Sequence, residues 1–384
     1  MEISNRIEGD TLVLSLNGRL DAASATTLDR DWVLDGQRHV LVDLGECNYV
    51  SSAGLRIFLR LKRETTAKGA SLTLVNVGAA VNEVLDLTGL NKLLSVRRKA
   101  REISIDGLEL LSAGVCGQCF RLDPETIVKL YNEGVAPDVA EQEKEFARAA
   151  LVAGIPTALS YEVVTCGNRT GVVYEMLDAE LFSAIIRREP DGVDRHGPRL
   201  AQIARNIHSK RGDPAVFPDL KVRLRACIEG VRGLFADEDI AHLAARLETI
   251  PDADTLVHFD LHTSNIMIRA GEAVIIDMGD LSRGHYFFDI GVIAMIYGYE
   301  ESGSCEFATR IPNSTGRALY EKFIAAYFAD RPVAEFEFFR RNEAFLASLR
   351  LIHAVTFLPL AKDILVAKIR DVFLPLIRAE GGLV

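Results

Sequence analysis

The densest run of reactive side chains is His258-Phe259-Asp260-Leu261-His262-Thr263-Ser264-Asn265, followed by Ile275-Ile276-Asp277-Met278-Gly279-Asp280. Phosphoryl transfer asks for two things at close quarters. A carboxylate must orient an attacking hydroxyl and accept its proton, and oxygen ligands must hold Mg2+ against phosphates. The HxDxxxxN spacing supplies Asp260 and, five residues on, the amide oxygen of Asn265 on the same loop. Asp277 ends a short apolar strand, AVIID, and supplies a charged metal ligand. The 17 residues from Asp260 to Asp277 match a loop, strand, turn and strand. A rival reading makes His258, Asp260, His262 and Asp277 ligands of a hydrolytic metal, but it gives the residues upstream no role.

Those upstream residues are the complementary parts. Gly114 and Gly117 bracket Val115-Cys116 between two predicted strands, where glycine lets backbone N–H groups approach phosphate. Lys129, in the strand IVKLY, follows 12 residues after Gly117 and can reach phosphates. Glu143 lies on the next predicted helix with Phe146, Ala147 and Ala150 at +3, +4 and +7. That spacing puts it on the core-facing side, where it can pair with Lys129. Glu145 is the alternative, on a more exposed face beside Arg148. Cys116 and Cys119 form a CxxC without the second pair that a zinc site requires.

These residues need a scaffold. Residues 1–96 read as a small α/β domain. Strands are expected at 11–17 (ended by Gly18), at 39–44, buried on both faces, and at 71–77. Helices are expected at 22–34, 52–66 and 81–87, the last stopped by Gly89. Arg97–Arg101 (RRKAR) reads as the start of a linker to about 107, or as a solvated strand running on. Three short strands follow at 108–113, 118–122 and 126–131, then a helix at 141–153 and a hairpin at 161–165 and 171–177. From about Leu181 the pattern is mostly helical, interrupted by the strand-and-loop patch 257–280. The helical residues 301–384 and the segment 181–186 are expected to form the acceptor pocket.

At 384 residues, two or three domains are expected. The chain is 48% apolar and 26% charged, which excludes a disordered or collagen-like polymer. No apolar run approaches a membrane span, and the acidic start shows no signal peptide. Six cysteines in this length fit free thiols in the cytoplasm. The net charge of −10 divides into +1 over residues 1–100 and −11 over the rest. Neither part has the clustered positive charge that a phosphate backbone attracts, so no nucleic-acid partner is expected.

Residues 108–300 resemble the aminoglycoside phosphotransferase/choline kinase-like superfamily, relatives of protein kinases. HxDxxxxN, IIDMGD, IVKLY, GIPT at Gly154–Thr157, IARNIHS around His208 and Asp289-Ile290-Gly291 carry the likeness. The resemblance implies a two-lobed α+β protein kinase-like fold, with an N-lobe over 108–178 and a helical C-lobe over 179–384. It implies ATP and Mg2+ as cofactors, Asp260 as catalytic base, and Asn265 and Asp277 as metal ligands. Lys129 would hold phosphate, paired to Glu143, and Glu175–Leu177 would form the hinge beside adenine. His258 would be structural. Phe259 departs from the family, which often has a small residue there.

Residues 1–97 resemble the STAS domain of bacterial anti-sigma factor antagonists. The matching pieces are GRLD, VLVDL, YVSSAGL, KGASLTLVNV and VNEVLDLTGL. The fold class expected is therefore α/β: a small STAS-type mixed sheet with helices, followed by the kinase-like fold. In the antagonists the residue aligned with Ser52 is phosphorylated by a partner kinase, and Asp21 lines the same surface. From local sequence alone, Ser51 and Ser52 also fit a plain helix cap. Together the two parts imply a cytoplasmic bacterial regulator with an anti-sigma factor or serine kinase as partner. Its ATP-dependent kinase part would phosphorylate a hydroxyl of a small molecule or a protein. The alternative is a scaffold in which the kinase-like fold turns over weakly and only the STAS module signals.

Overall fold

The computed structural model describes residues 1–31 and 34–380, and for residues 29–31 the backbone only. Contacts divide the chain into two units, Met1–Ile103 and Ser104–Val384, each with its own core.

The first unit is a five-stranded sheet in the order Glu2–Glu8, Thr11–Leu20, His39–Val50, Ser71–Val77, Ser95–Arg98. The first pair is antiparallel and the remaining pairs are parallel. Helices Ala22–Asp31 and Ser52–Ala67 pack on each other, and Ala79–Leu87 lies against the His39–Val50 strand. Strand 2–8 was not expected. Only Ile3 among its residues is even half-buried, so it carries no alternating apolar signal. Its charged residues suit an edge, where they discourage pairing with another chain. The His39 strand runs to Val50 rather than Leu44, and it is buried on one face only: Val40, Val42 and Leu44 point into the core, and Leu41 and Asp43 are half-exposed. Irregularities in its register against Thr11–Leu20 carry it through the polar GECNY stretch. The strand Ser95–Arg98 takes Arg97 and Arg98 into the sheet, so the strand runs on into the basic stretch. Of the helix expected over 22–34, positions 32–33 lie outside the described residues.

The second unit opens with strands Leu110–Ala113, Gly117–Arg121, Thr126–Tyr131, Ser160–Cys166 and Arg169–Glu175. They pair antiparallel, with 126–131 between 117–121 and 169–175. Helix Pro137–Val152 crosses between the third and fourth strands and packs on the hairpin 160–175. Gly117 is fixed by that sheet, because a Cβ there would lie 2.2 Å from the Leu130 carbonyl oxygen. Gly114 has open space instead and closes the turn through its N–H to the Gly117 oxygen at 2.8 Å. Gly114 thus lies in the turn, and Gly117 closes it and opens the next strand.

The rest is mostly helical. Val193–His208 packs on Asn313–Phe328, and Phe287–Ile293, buried at every residue, packs on Glu343–Phe357. The latter pair is close because Gly291 has no side chain: a Cβ would meet the Leu346 carbonyl oxygen at 2.7 Å. The hairpin Ile266–Arg269/Glu272–Ile275 carries the aspartate-bearing segment. It is tied to the segment that follows helix Pro137–Val152 by Ile275 N donating to Pro156 O at 2.8 Å.

His285 lies against the rings of Tyr286 and Phe287, at 4.4 and 4.2 Å between centroids. Burial pushes its pKa down from 6.5 to about 4. Between those values the unfolded chain binds a proton that the folded chain refuses, so stability is lost as pH falls through the window. Denaturant unfolding of His285→Gln should show a smaller loss between pH 7 and pH 4.5 than the native chain, by up to about 2–3 kcal/mol.

Candidate functional site

Lys129 sits mid-strand with its side chain 15% exposed. Its Nζ donates to Glu143 Oε1 and Oε2 at 2.8 and 2.9 Å and to Asp277 Oδ1 at 2.8 Å. Glu143, 3% exposed, also accepts from the Tyr131 and Tyr174 hydroxyls, the latter at 3.0 Å. Glu145 instead lies beside Arg148 in a loose, exposed pair. Burial pulls the Lys129 ammonium down, but Asp277 and Glu143 outweigh it and hold the group well above the ordinary lysine range. Asp277 keeps 43% of its side chain exposed. Its partial burial works against ionisation, yet the Lys129 charge holds it below the usual carboxylate range. Burial and the Glu143 charge raise the Tyr131 hydroxyl far above its ordinary value, so it remains a donor.

The loop that carries Asp260 is hung from Asp289, which is fully buried. Asp289 Oδ2 accepts from His258 N at 2.9 Å, and Oδ1 from Phe259 N at 2.6 Å. His208 Nε2 donates to the same carboxylate at 2.9 Å, and its Nδ1 faces the Tyr327 hydroxyl at 2.7 Å. His258 Nδ1 accepts from Asp260 N at 3.3 Å, so its Nε2 donates to Ile276 O at 3.1 Å. Both ring nitrogens are thereby committed to backbone, which removes His258 from any metal-ligand set. Ile276 N donates to Asn265 O at 3.0 Å. The Asp260 loop and the Asp277 segment are thus stitched side by side.

Asn265 Nδ2 donates to Asp260 O at 2.9 Å and Oδ2 at 3.2 Å. The other Asp260 oxygen, Oδ1, accepts from Arg350 Nε at 3.1 Å. Burial pushes the Asp260 carboxyl up, but Arg350 and His262 together outweigh it, and the group stays below the ordinary carboxylate range. Phe259 and Asp277 both take left-handed backbone, with φ of 58° and 64°. For phenylalanine that costs on the order of 1 kcal/mol, and it explains why a small residue suits the position. The donor set of one amide oxygen and one carboxylate fits Mg2+, which keeps waters and substrate phosphates as its remaining ligands. Among the described residues no cluster of three or more His, Cys, Asp or Glu side chains is arranged to hold a metal.

Glu175 lies at the end of its strand and accepts from Leu159 N at 3.0 Å, and Met176 N donates to Glu125 O at 2.7 Å. Leu177 beside them is buried. In the first unit, Ser51 rather than Ser52 caps the helix, accepting from Gly54 N at 3.3 Å. Ser52 is exposed at the first helical position. Asp21 accepts from the N–H groups of Ala23 and Ser24 at 3.1 Å. It adjoins the Ser51 loop through Ser51 N to Leu20 O at 2.9 Å. Tyr131, Tyr174, Asp280 and Arg350 were not singled out from sequence. A tyrosine two residues past the lysine on one strand was the only signal available for Tyr131.

The model of the phosphotransferase enzyme family matches residues 108–336, and the chain belongs to that family. Residues 3–95 match the Mlab, STAS domain model. A putative anti-sigma factor antagonist, BtrV of Bordetella bronchiseptica, is 30% identical over 95 residues, which is 24% of this chain and 81% of that protein. Among solved structures, an ethanolamine kinase of Plasmodium vivax is 14% identical with a TM-score of 0.49, covering 72% of this chain and 84% of its own. The gentamicin complex of APH(2")-IIa is 16% identical with a TM-score of 0.48, covering 74% and 94%. The chain joins an anti-sigma-factor-antagonist-like STAS module to a domain of the phosphotransferase enzyme family.

Removing the Glu143 carboxylate would leave the Lys129 ammonium with one partner fewer in a mostly buried place. Glu143→Ala should lower the unfolding free energy of the second unit by about 3–5 kcal/mol. Tyr174→Phe, which deletes a single neutral donor, should cost about 1 kcal/mol. Equal, small effects from the two variants in denaturant unfolding would contradict this account.

Proposed function

We propose that the second unit transfers the γ-phosphoryl group of ATP to an acceptor hydroxyl. The observation that carries the reading is one connected network: Lys129 bonded to Glu143 and Asp277, with the Asp277 segment stitched to the loop of Asp260 and Asn265. Lys129 binds the donor's phosphates, with the Glu143 carboxylate keeping it aimed. Asp260, held ionised, accepts the hydroxyl proton of the acceptor and orients its oxygen for in-line attack. Asn265 and Asp277 would hold Mg2+, which supplies neutralisation of phosphate charge. The turn at Gly114 covers the phosphates, and Glu175–Leu177 lies beside adenine. The acceptor is a small-molecule alcohol or a protein serine.

The first unit binds a protein partner, an anti-sigma factor or a serine kinase, on the surface formed by Asp21 and Ser52. Ser52 is the phosphoacceptor, and its phosphate would change the charge that the partner meets. The whole is a cytoplasmic regulator. No single helix among the described residues is long and apolar enough to cross a membrane.

Addition of Mg2+ and ATP should raise the melting temperature of the native chain, and Asp277→Ala should abolish that shift. Asp260→Asn should bind nucleotide as the native chain does and lose at least about 10²-fold in ADP release. An unshifted native chain would leave the scaffold reading in place. With radiolabelled ATP, label on the chain that disappears in Ser52→Ala would identify the acceptor as Ser52. Label retained by that variant would discard autophosphorylation at this position.

A further inference from the structure

Arg350 lies on the helix Glu343–Phe357, beyond the residues that the phosphotransferase family model matches. Its side chain is 13% exposed and bonded in three directions. Nε donates to Asp260 Oδ1 at 3.1 Å, Nη1 faces His353 Nδ1 at 3.0 Å, and Nη2 lies 3.3 Å from Asp280 Oδ2. Asp280 is itself held by Arg223 Nη2 at 3.0 Å, and Arg223 Nη1 donates to Ser282 Oγ at 2.8 Å. The guanidinium also stands over the rings of Phe259 and Phe357, each 5.8 Å from the ring centroid. His353 closes the seat, 5.5 Å from the Phe259 ring. Its Nε2 faces Arg223 Nη2 at 3.1 Å, so each ring nitrogen has a guanidinium beside it, and burial pushes the imidazole down to about 4.

We infer that Arg350 is a positioning residue for Asp260, clamping one carboxylate oxygen so that the carboxylate presents a fixed edge to the acceptor. The inference rests on the reading of Asp260 as the base. An ionised carboxylate has about four acceptor sites on its two oxygens. Arg350 takes one on Oδ1, and Asn265 takes one on Oδ2 from the other side. The plane of the carboxylate is then set by two donors on separate elements, a loop and a helix some 90 residues further on. Sites remain for a hydroxyl. Phe259 acquires a purpose here. Its left-handed backbone lets a fully buried ring form the wall on which the guanidinium rests. The helix that carries Arg350 is fixed in turn by its close approach to Gly291, two residues after Asp289. One stretch, Asp289–Gly291, thereby sets both the loop of the base and the depth of the helix behind it.

The test measures release of ADP and inorganic phosphate from Mg2+ and ATP by the full chain, with water in the place of the acceptor hydroxyl. Arg350 hydrogen-bonds to none of Lys129, Glu143 or Asp277. Arg350→Met should therefore lower kcat by roughly 10²-fold and leave KM for ATP unchanged. Arg350→Lys keeps the charge but lacks the planar fork, and should recover about 10-fold of that loss. It also serves if the methionine variant fails to fold. In an Asp260→Asn background, Arg350→Met should have no further effect on kcat. A role in packing alone would lower the melting temperature and raise KM in every background. Retention of kcat within about 2-fold, or an equal loss in the Asp260→Asn background, would overturn the inference while the phosphotransferase reading stands. Absence of ADP release from the native chain, together with no shift of its melting temperature by Mg2+ and ATP, removes that reading and this one with it.

Discussion

The second unit depends on one ammonium group. Lys129 projects from the middle of a sheet into a place where an unpaired charge would cost several kcal/mol. It is stable there because a carboxylate from a helix and another from a hairpin end meet it, at 2.8 Å each. The three groups therefore constrain three elements at once. The helix Pro137–Val152 has to present Glu143 to the sheet, and the hairpin 266–275 has to deliver Asp277 to the same point. The two tyrosine hydroxyls finish the arrangement by occupying Glu143 acceptor sites that would otherwise be buried without partners. Neutral donors suit that purpose, since a second cation would weaken the hold of Glu143 on the lysine.

A second buried carboxylate, Asp289, does for the backbone what Glu143 does for the lysine. By accepting the N–H groups of His258 and Phe259 it supplies the bonds that a loop inside a helical body lacks. It also stabilises the positive φ of Phe259. The loop then turns Asp260 toward Asn265 and Arg350 rather than back toward Asp289. His258, with each ring nitrogen on a backbone partner, joins this loop to the segment before Asp277. The spacing of HxDxxxxN thus reflects two demands at once. The histidine and aspartate are two apart so that one ring can bond the Asp260 N–H, and Asn265 falls where the loop returns to its own start.

Much of this was legible in the residues. The short strand expected over 126–131 forms over those residues, and the +3, +4, +7 apolar spacing places Glu143 inward and Glu145 outward. Motif residues are legible because their partners are near in sequence or imposed by a repeating geometry. Arg350 was not, since nothing near it in sequence marks an arginine on an apolar helix as paired, and its partner lies 90 residues upstream. The packing demand on Gly117 was hidden for a related reason. A glycine that opens a strand and one at a loop tip look alike until the neighbouring strand is placed, and here the Leu130 carbonyl fills the space of the missing Cβ. Strand 2–8 was illegible because edge pairing uses backbone bonds, which leave no trace in side-chain polarity.

In the first unit the ambiguity between Ser51 and Ser52 is resolved by division of labour. Ser51 has extended backbone, with φ −83° and ψ 172°, and its hydroxyl serves the Gly54 N–H. Ser52 is already helical, so its hydroxyl is not committed to the cap and lies exposed. Gly54 makes the pairing rigid: a Cβ there would lie 2.7 Å from Leu20 Cγ, so the helix start is pressed onto the strand end that also carries Asp21. A phosphate added to Ser52 would therefore meet the positive end of the helix without displacing the cap. It would add negative charge to the surface shared with Asp21. Of the two adjacent serines Ser51 is structural and Ser52 exposed, so charge can be added at the helix start while the bond from Gly54 N to Ser51 stays made.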